Sequence, residues 1–171
     1  MTRLLTARLE LRHFTAGDVD DLYSMDSDDR VMRYLGSGLK GRSHAEVEQT
    51  IERMIERARE RPGYGLLHAS LRDSGEFVGG CGVFPLETTA DTEIAYRLPV
   101  AQWGRGFATE MAAAVLAHAF GTLDLARSIG LTWPENIASQ RVLEKIGMQA
   151  QPDAVHYGRR MRVYLATRHD A

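Results

Sequence analysis

The segment that most restricts what this chain can fold into runs from Tyr96 to Glu110. There a strand, a turn carrying Gly104 and Gly106, and the start of a long apolar helix follow one another directly. Glycine lets a backbone approach a ligand closely, and a helix beginning near Phe107 aims unpaired N–H groups into the turn before it. An anion is the natural occupant, because those donors and the helix dipole both favour negative charge. Arg105 and Thr109 can add side-chain donors. A tight turn without a ligand has the same residue pattern. Two phosphate loops are excluded. No Gly-Lys-Ser/Thr follows, and Thr109, just before Glu110, stands where a dinucleotide fingerprint needs Gly or Ala.

Around this unit the pattern is mixed α/β. Leu9 to Arg12 alternates as a half-buried strand does, and Thr15-x-x-Asp18 opens a helix carrying Val19, Leu22 and Met25. Ser43-x-x-Glu46 opens a second, with Val47, Ile51, Met54, Ile55 and Ala58 on one face and a charged run from Glu52 to Arg61 on the wet one. Pro62-Gly63 ends it. Tyr34 to Arg42, with Gly36, Gly38 and Gly41, is expected to be a mobile connection near a substrate entrance. Tyr64 to Leu71 and Phe77 to Phe84 form a hairpin through Arg72 to Gly75. Further strands are expected over Thr92 to Leu98, Ser128 to Trp133 and Arg160 to Ala166. Helices are expected over Phe107 to Phe120 and Asn136 to Ile146, the latter ended by Gly147. The front half looks antiparallel, with a strand–helix–strand unit behind it.

Composition narrows the function classes. The 171 residues suit one domain spanning 1–171, and a net charge of -2 gives no global basic field for nucleic acid. The single cysteine, Cys81, sits among glycines and is expected as a small buried residue in a reducing, cytoplasmic setting. Arg3, Arg8 and Glu10 interrupt the N-terminal leucines, so no signal peptide is expected, and no membrane span is expected elsewhere. The histidines at 13, 44, 68, 118, 156 and 169 lack metal-ligand spacing, so no metal is expected.

Trp103 to Glu110 resembles the acetyl-CoA pyrophosphate loop of GCN5-related N-acetyltransferases, in the branch of the RimJ and RimL ribosomal-protein acetyltransferases. Gly106 and Ala108 fit the superfamily pattern Gln/Arg-x-x-Gly-x-Gly/Ala, while Trp103 replaces its first residue. Trp133 to Met148 is similar to the same family's strand-to-helix segment, and Thr6 to Arg12 with Asp18 to its N-terminal strand and helix. The resemblance implies a central mixed, largely antiparallel twisted sheet of about seven strands, splayed between the fourth and fifth and flanked by about four helices. It implies acetyl-CoA as cosubstrate, a primary amine as acceptor (a protein N-terminus or a small molecule), and a homodimer. Contacts to the cosubstrate are implied for Leu98, Val100, Trp103, Gly104, Arg105, Gly106, Phe107, Ala108, Thr109, Asn136 and Ser139.

Amine acetylation needs a neutral amine near the thioester, a route for its proton, and help for the departing thiolate. Glu93 matches the family's general base, and a salt-bridged strand carboxylate is the alternative. Asn136 matches a cofactor contact and equally suits a helix N-cap. Ser139 matches a hydroxyl that protonates the CoA sulfur, against an exposed helical serine. Tyr157 is a rival acid. Trp103 and Trp133 are expected as packing anchors. A non-catalytic acyl-CoA-binding domain is the alternative to an enzyme.

Overall fold

Alternating strand residues and amphipathic helices assemble into three layers in a computed structural model, which describes residues 2–36, 38–86 and 89–168. The strands are β1 (Arg3–Leu5), β2 (Leu9–His13), β3 (Gly65–Leu71), β4 (Phe77–Pro85), β5 (Thr92–Arg97), β6 (Arg127–Thr132), β7 (Gln149–His156) and β8 (Arg159–Thr167). The helices are α1 (Val19–Asp26), α2 (Asp29–Met32), α3 (His44–Glu60), α4 (Phe107–Gly121) and α5 (Ile137–Lys145). One sheet takes the order β1-β2-β3-β4-β5-β6-β8-β7. Every pairing is antiparallel except β5 with β6, which is parallel and is registered only at Glu93 and Ile129. Beyond that pair β5 and β6 part, and the sheet opens at the expected splay.

The two faces are buried by different helices. Leu67, Ala69, Cys81, Val83 and Ile94 pack with Phe107, Met111 and Val115 of α4 and Leu143 of α5. Leu66, one residue out of step with Leu67, turns to the other face and packs with Phe14, Leu22, Met25, Val47 and Ile51. Buried on both faces, β3 and β4 show nearly continuous apolar burial and little alternation. Ser43 caps α3 as expected, its backbone N–H donating to Glu46 Oε2 at 2.8 Å. The Asp18 carboxylate accepts from the Thr15 backbone N–H at 2.7 Å at the entry to α1. Burial alone would raise the Asp18 carboxyl, yet Arg12 and Thr15 hold it at about 2.

Three elements were not legible in the sequence. β1 is only three residues long, α2 is a single turn, and β7 carries Pro152 with a register shift between Gln151 and Ala154. β7 lies at the sheet edge, where a proline's missing N–H costs no ladder bond, so its sequence lacks strand alternation. Among the described residues no helix is long and apolar enough to cross a membrane.

Candidate active site

The turn before α4 is built as its glycines suggest. Gly104 and Gly106 adopt φ of 74° and 81°, and Gly106 is the N-cap of α4. A Cβ at Gly104 would meet nothing within 4 Å, and one at Gly106 only the Arg8 guanidinium at 3.5 Å. Open space therefore lies before the unpaired N–H groups of the first helical turn, as an anion seat requires. Arg8 braces the loop from β1's side. Its guanidinium lies 4.4 Å over the Phe107 ring, donates to the Arg105 carbonyl at 3.1 Å and pairs with Glu110 at 2.7 Å.

From this loop a cavity of about 690 Å³ runs into the gap between β5 and β6. Strand alternation sends successive β5 side chains to opposite faces. Arg97 meets Asp26 of α1 on one face at 2.7 Å, whereas the Tyr96 hydroxyl meets Ser139 Oγ of α5 on the other at 2.9 Å. α5 reaches β6 closely because Gly130 leaves room: a Cβ there would fall 2.4 Å from Leu143. Glu93 shares the Arg97 side of the strand. It is 7% exposed and accepts a hydrogen bond from the Tyr157 hydroxyl at 2.5 Å. Tyr157 and Gly158 both have positive φ, 52° and 73°, and close the β7–β8 hairpin as a two-residue turn. That left-handed tyrosine is strained, and its hydroxyl is the one that meets Glu93.

Burial pushes the Glu93 carboxyl up to about 7, with the Tyr157 hydrogen bond pulling the other way. A carboxyl poised there suits proton abstraction near neutral pH. Tyr157→Phe should remove the opposing pull and move the alkaline-rising limb of the rate to higher pH. We expect a loss of about threefold to tenfold at pH 7, recovered at pH 9. A pH–rate profile of both proteins checks this. On the opposite face, burial raises the Tyr96 phenol well above its ordinary range, so it stays protonated and able to donate.

Most of the expected contacts line this one cavity: Glu93, Leu98, Trp103, Gly104, Gly106, Phe107, Ala108, Thr109, Asn136, Ser139 and Tyr157. Val100 does not, and packs instead with the α1–α3 core. Arg105 does not either, since its guanidinium donates to Gln102 Oε1 at 2.5 Å and lies over Phe107. Tyr157, the rival acid, lines the same cavity as Ser139, and its hydroxyl donates to Glu93. Trp103 is a half-exposed rim residue, not a buried anchor, with Nε1 donating to the Leu98 carbonyl at 2.9 Å. Asn136 does cap α5, accepting from the Ser139 N–H at 3.2 Å, while also facing the cavity.

Sequence reasoning missed Tyr96 and Arg8. Tyr96 looked like one more β-strand aromatic, and only the approach of α5 gives it a hydroxyl partner. Cys81 is buried and its thiol is pushed up, so it is inert as expected. Asp18, Asp21 and His68 converge within 4.8 Å, but Arg12 already holds both Asp18 oxygens at 2.8 Å. They form a hydrogen-bond network beside the Arg12–Asp18 ion pair. His169 lies outside the described residues.

Comparison with known proteins agrees with this geometry. Residues 8–149 match the model of the acetyltransferase (GNAT) domain family. The chain is 36% identical over 166 residues to the uncharacterized protein YkkB of Bacillus subtilis, covering 94% of this chain and 89% of that one. A GNAT-family acetyltransferase from Bacillus anthracis superposes with a TM-score of 0.82 at 23% identity, covering 98% and 99% of the two chains. RimL, the ribosomal L7/L12 alpha-N-protein acetyltransferase in complex with coenzyme A, superposes with a TM-score of 0.79 at 17% identity, covering 97% and 98%. With two-strand splay, glycine loop and family match in agreement, the chain belongs to the GNAT acetyltransferase family, and RimL-like enzymes are among the proteins that share its fold.

Proposed function

We propose that the protein moves an acetyl group from acetyl-CoA to a primary amine by direct attack in a ternary complex. One observation carries the reading: the splayed strand β5 offers Glu93 on one face of the cavity and the Tyr96–Ser139 pair on the other. The Gly104–Thr109 turn holds the pyrophosphate through backbone N–H groups. Glu93 takes the proton that the amine sheds as its nitrogen bonds to the thioester carbon. As the carbon–sulfur bond breaks, Ser139, held by its hydrogen bond with the Tyr96 hydroxyl, hands a proton to sulfur and regains one from solvent. No covalent enzyme intermediate is needed. A protein N-terminus or a small molecule can supply the amine, and RimL's named substrate supports the former. A cytoplasmic, homodimeric single-domain enzyme is part of the same proposal.

Replacing Gly106 by Val tests the cofactor seat. A β-branched residue at φ near 81° is strained and crowds the cradle. Calorimetry should show acetyl-CoA affinity falling about tenfold or more, with circular dichroism unchanged. Unchanged affinity in the folded variant would move the cosubstrate elsewhere.

A further inference from the structure

Arg159, the first residue of β8, follows directly on the Tyr157–Gly158 turn. Its guanidinium carbon lies 3.2 Å from the centroid of the Trp133 ring, so the group is laid against the indole. Its Nε is buried and has no hydrogen-bond partner among the described residues. The neighbouring arginines of the strand differ: Arg160 and Arg162 both pair with Asp153, at 3.0 and 3.2 Å. By alternation Arg159 shares its face with Met161, which lines the cavity.

Trp133 links this arginine to the rim of the cavity, although neither residue is among those that line it. Its Nε1 donates to the Gly36 carbonyl at 3.1 Å, and its ring meets Tyr34 edge-on at 5.4 Å. Gly36 and Tyr34 both line the cavity. On its outer side Trp133 shares a shallow depression with Arg33 and Lys40, whose charges have no ion-pair partner among the described residues. The acid in that depression, Asp29, is occupied by the Gly41 N–H at 2.7 Å.

A buried guanidinium N–H without an acceptor is unfavourable, and such groups in folded proteins call for a partner. Stacking on an indole fixes the guanidinium plane, and beside the buried Nε the two Nη groups make no hydrogen bond or ion pair among the described residues. That fork matches a carboxylate bidentately, which an ammonium cannot do. We propose that Arg159, held flat on Trp133, seats a carboxylate of the acceptor whose amine is presented to Glu93. The inference rests on the acetyl-transfer reading and names its acceptor class. Because Arg159 lies outside the residues that line the cavity with Glu93, the carboxylate and amine are separated by several bonds. Either an ω-amino acid or a peptide with an acidic side chain behind its N-terminal amine meets that requirement, and a simple α-amino acid does not.

The test uses matched acceptors: ω-amino acids against their carboxamides, and N-terminally free peptides with Asp or Glu near the amine against Asn or Gln. We expect kcat/KM to favour the carboxylate member by about ten- to a hundredfold in one of these two sets. The set that shows the preference identifies the source of the carboxylate. The ratio should fall to about one in Arg159→Gln and be partly kept in Arg159→Lys. A merely structural arginine would lower both members equally and leave the ratio unchanged, which overturns the proposal, as does a wild type that treats the pairs alike. Calorimetric binding of the same compounds to the protein saturated with CoA separates this idea from the transfer reading. If acetyl-CoA binds but no amine is acetylated, transfer fails. Carboxylate binding lost in Arg159→Gln would still uphold the seat, and no carboxylate binding to the wild type would overturn it.

Discussion

Glu93→Gln should leave acetyl-CoA affinity within about twofold of the wild type and depress turnover by roughly a hundred- to ten-thousand-fold, the range of lost general-base catalysis. Glutamine is isosteric, and Glu93 lies at the opposite end of β5 from the Gly104–Thr109 turn, so binding and chemistry are separable. The wild-type rate should rise through an apparent pKa of about 7 as Glu93 loses its proton, and the variant should lack that limb. Acceptors of different amine pKa distinguish this limb from ionisation of the substrate. The same substitution has a stability consequence of opposite benefit. The folded-state carboxyl sits at about 7, above its ordinary 4.5. Its contribution to stability is therefore fully present below pH 4.5 and is lost as pH rises through 7. Glu93→Gln should be the more stable protein at pH 8, with the difference closing in acid, as denaturant midpoints at the two pH values would show. A variant that turns over like the wild type would make Glu93 structural and leave the base to another residue or to water alone.

Asp26→Ala should cost about 3 kcal/mol, the usual order for breaking a buried ion pair by removing one partner. Asp26 is fully buried at the end of α1 and holds Arg97 of β5 through two hydrogen bonds, at 2.7 and 3.1 Å, and Arg42 at 3.1 Å. Removing it leaves the largely buried Arg97 without a counter-charge inside the wall of the cavity. A fall in melting temperature of about 10 °C is expected for a domain of this size. Because the bond ties α1 to the strand that carries Glu93, the rate should fall at temperatures where the variant is still folded. Equal stability of the variant would mean that solvent already screens Arg97.

The helices longer than one turn were legible because their signals are local. Ser43 and Glu46 close a capping box within three residues, and α4 advertises its broad buried face through Phe107, Met111 and Val115. The glycine turn was legible for the same reason, since positive φ at Gly104 and Gly106 is a property of the residue type. β7 was not, because an edge strand answers to its neighbour and tolerates Pro152. The side chains of Val100 and Arg105 turn away from the cavity, because chain proximity to a loop says nothing about which way a side chain turns. The residues thus determined by themselves the α/β order, the caps, the anion-ready turn and, through the similarity of Trp103–Glu110 and Trp133–Met148 to one family, the fold class. Only the tertiary structure decided that Tyr157 meets Glu93, that Tyr96 meets Ser139, and that Arg159 lies on Trp133. Each of these contacts joins segments far apart in the chain, and its geometry is set by how the parallel strands part and how closely α5 packs at Gly130, which no local propensity encodes.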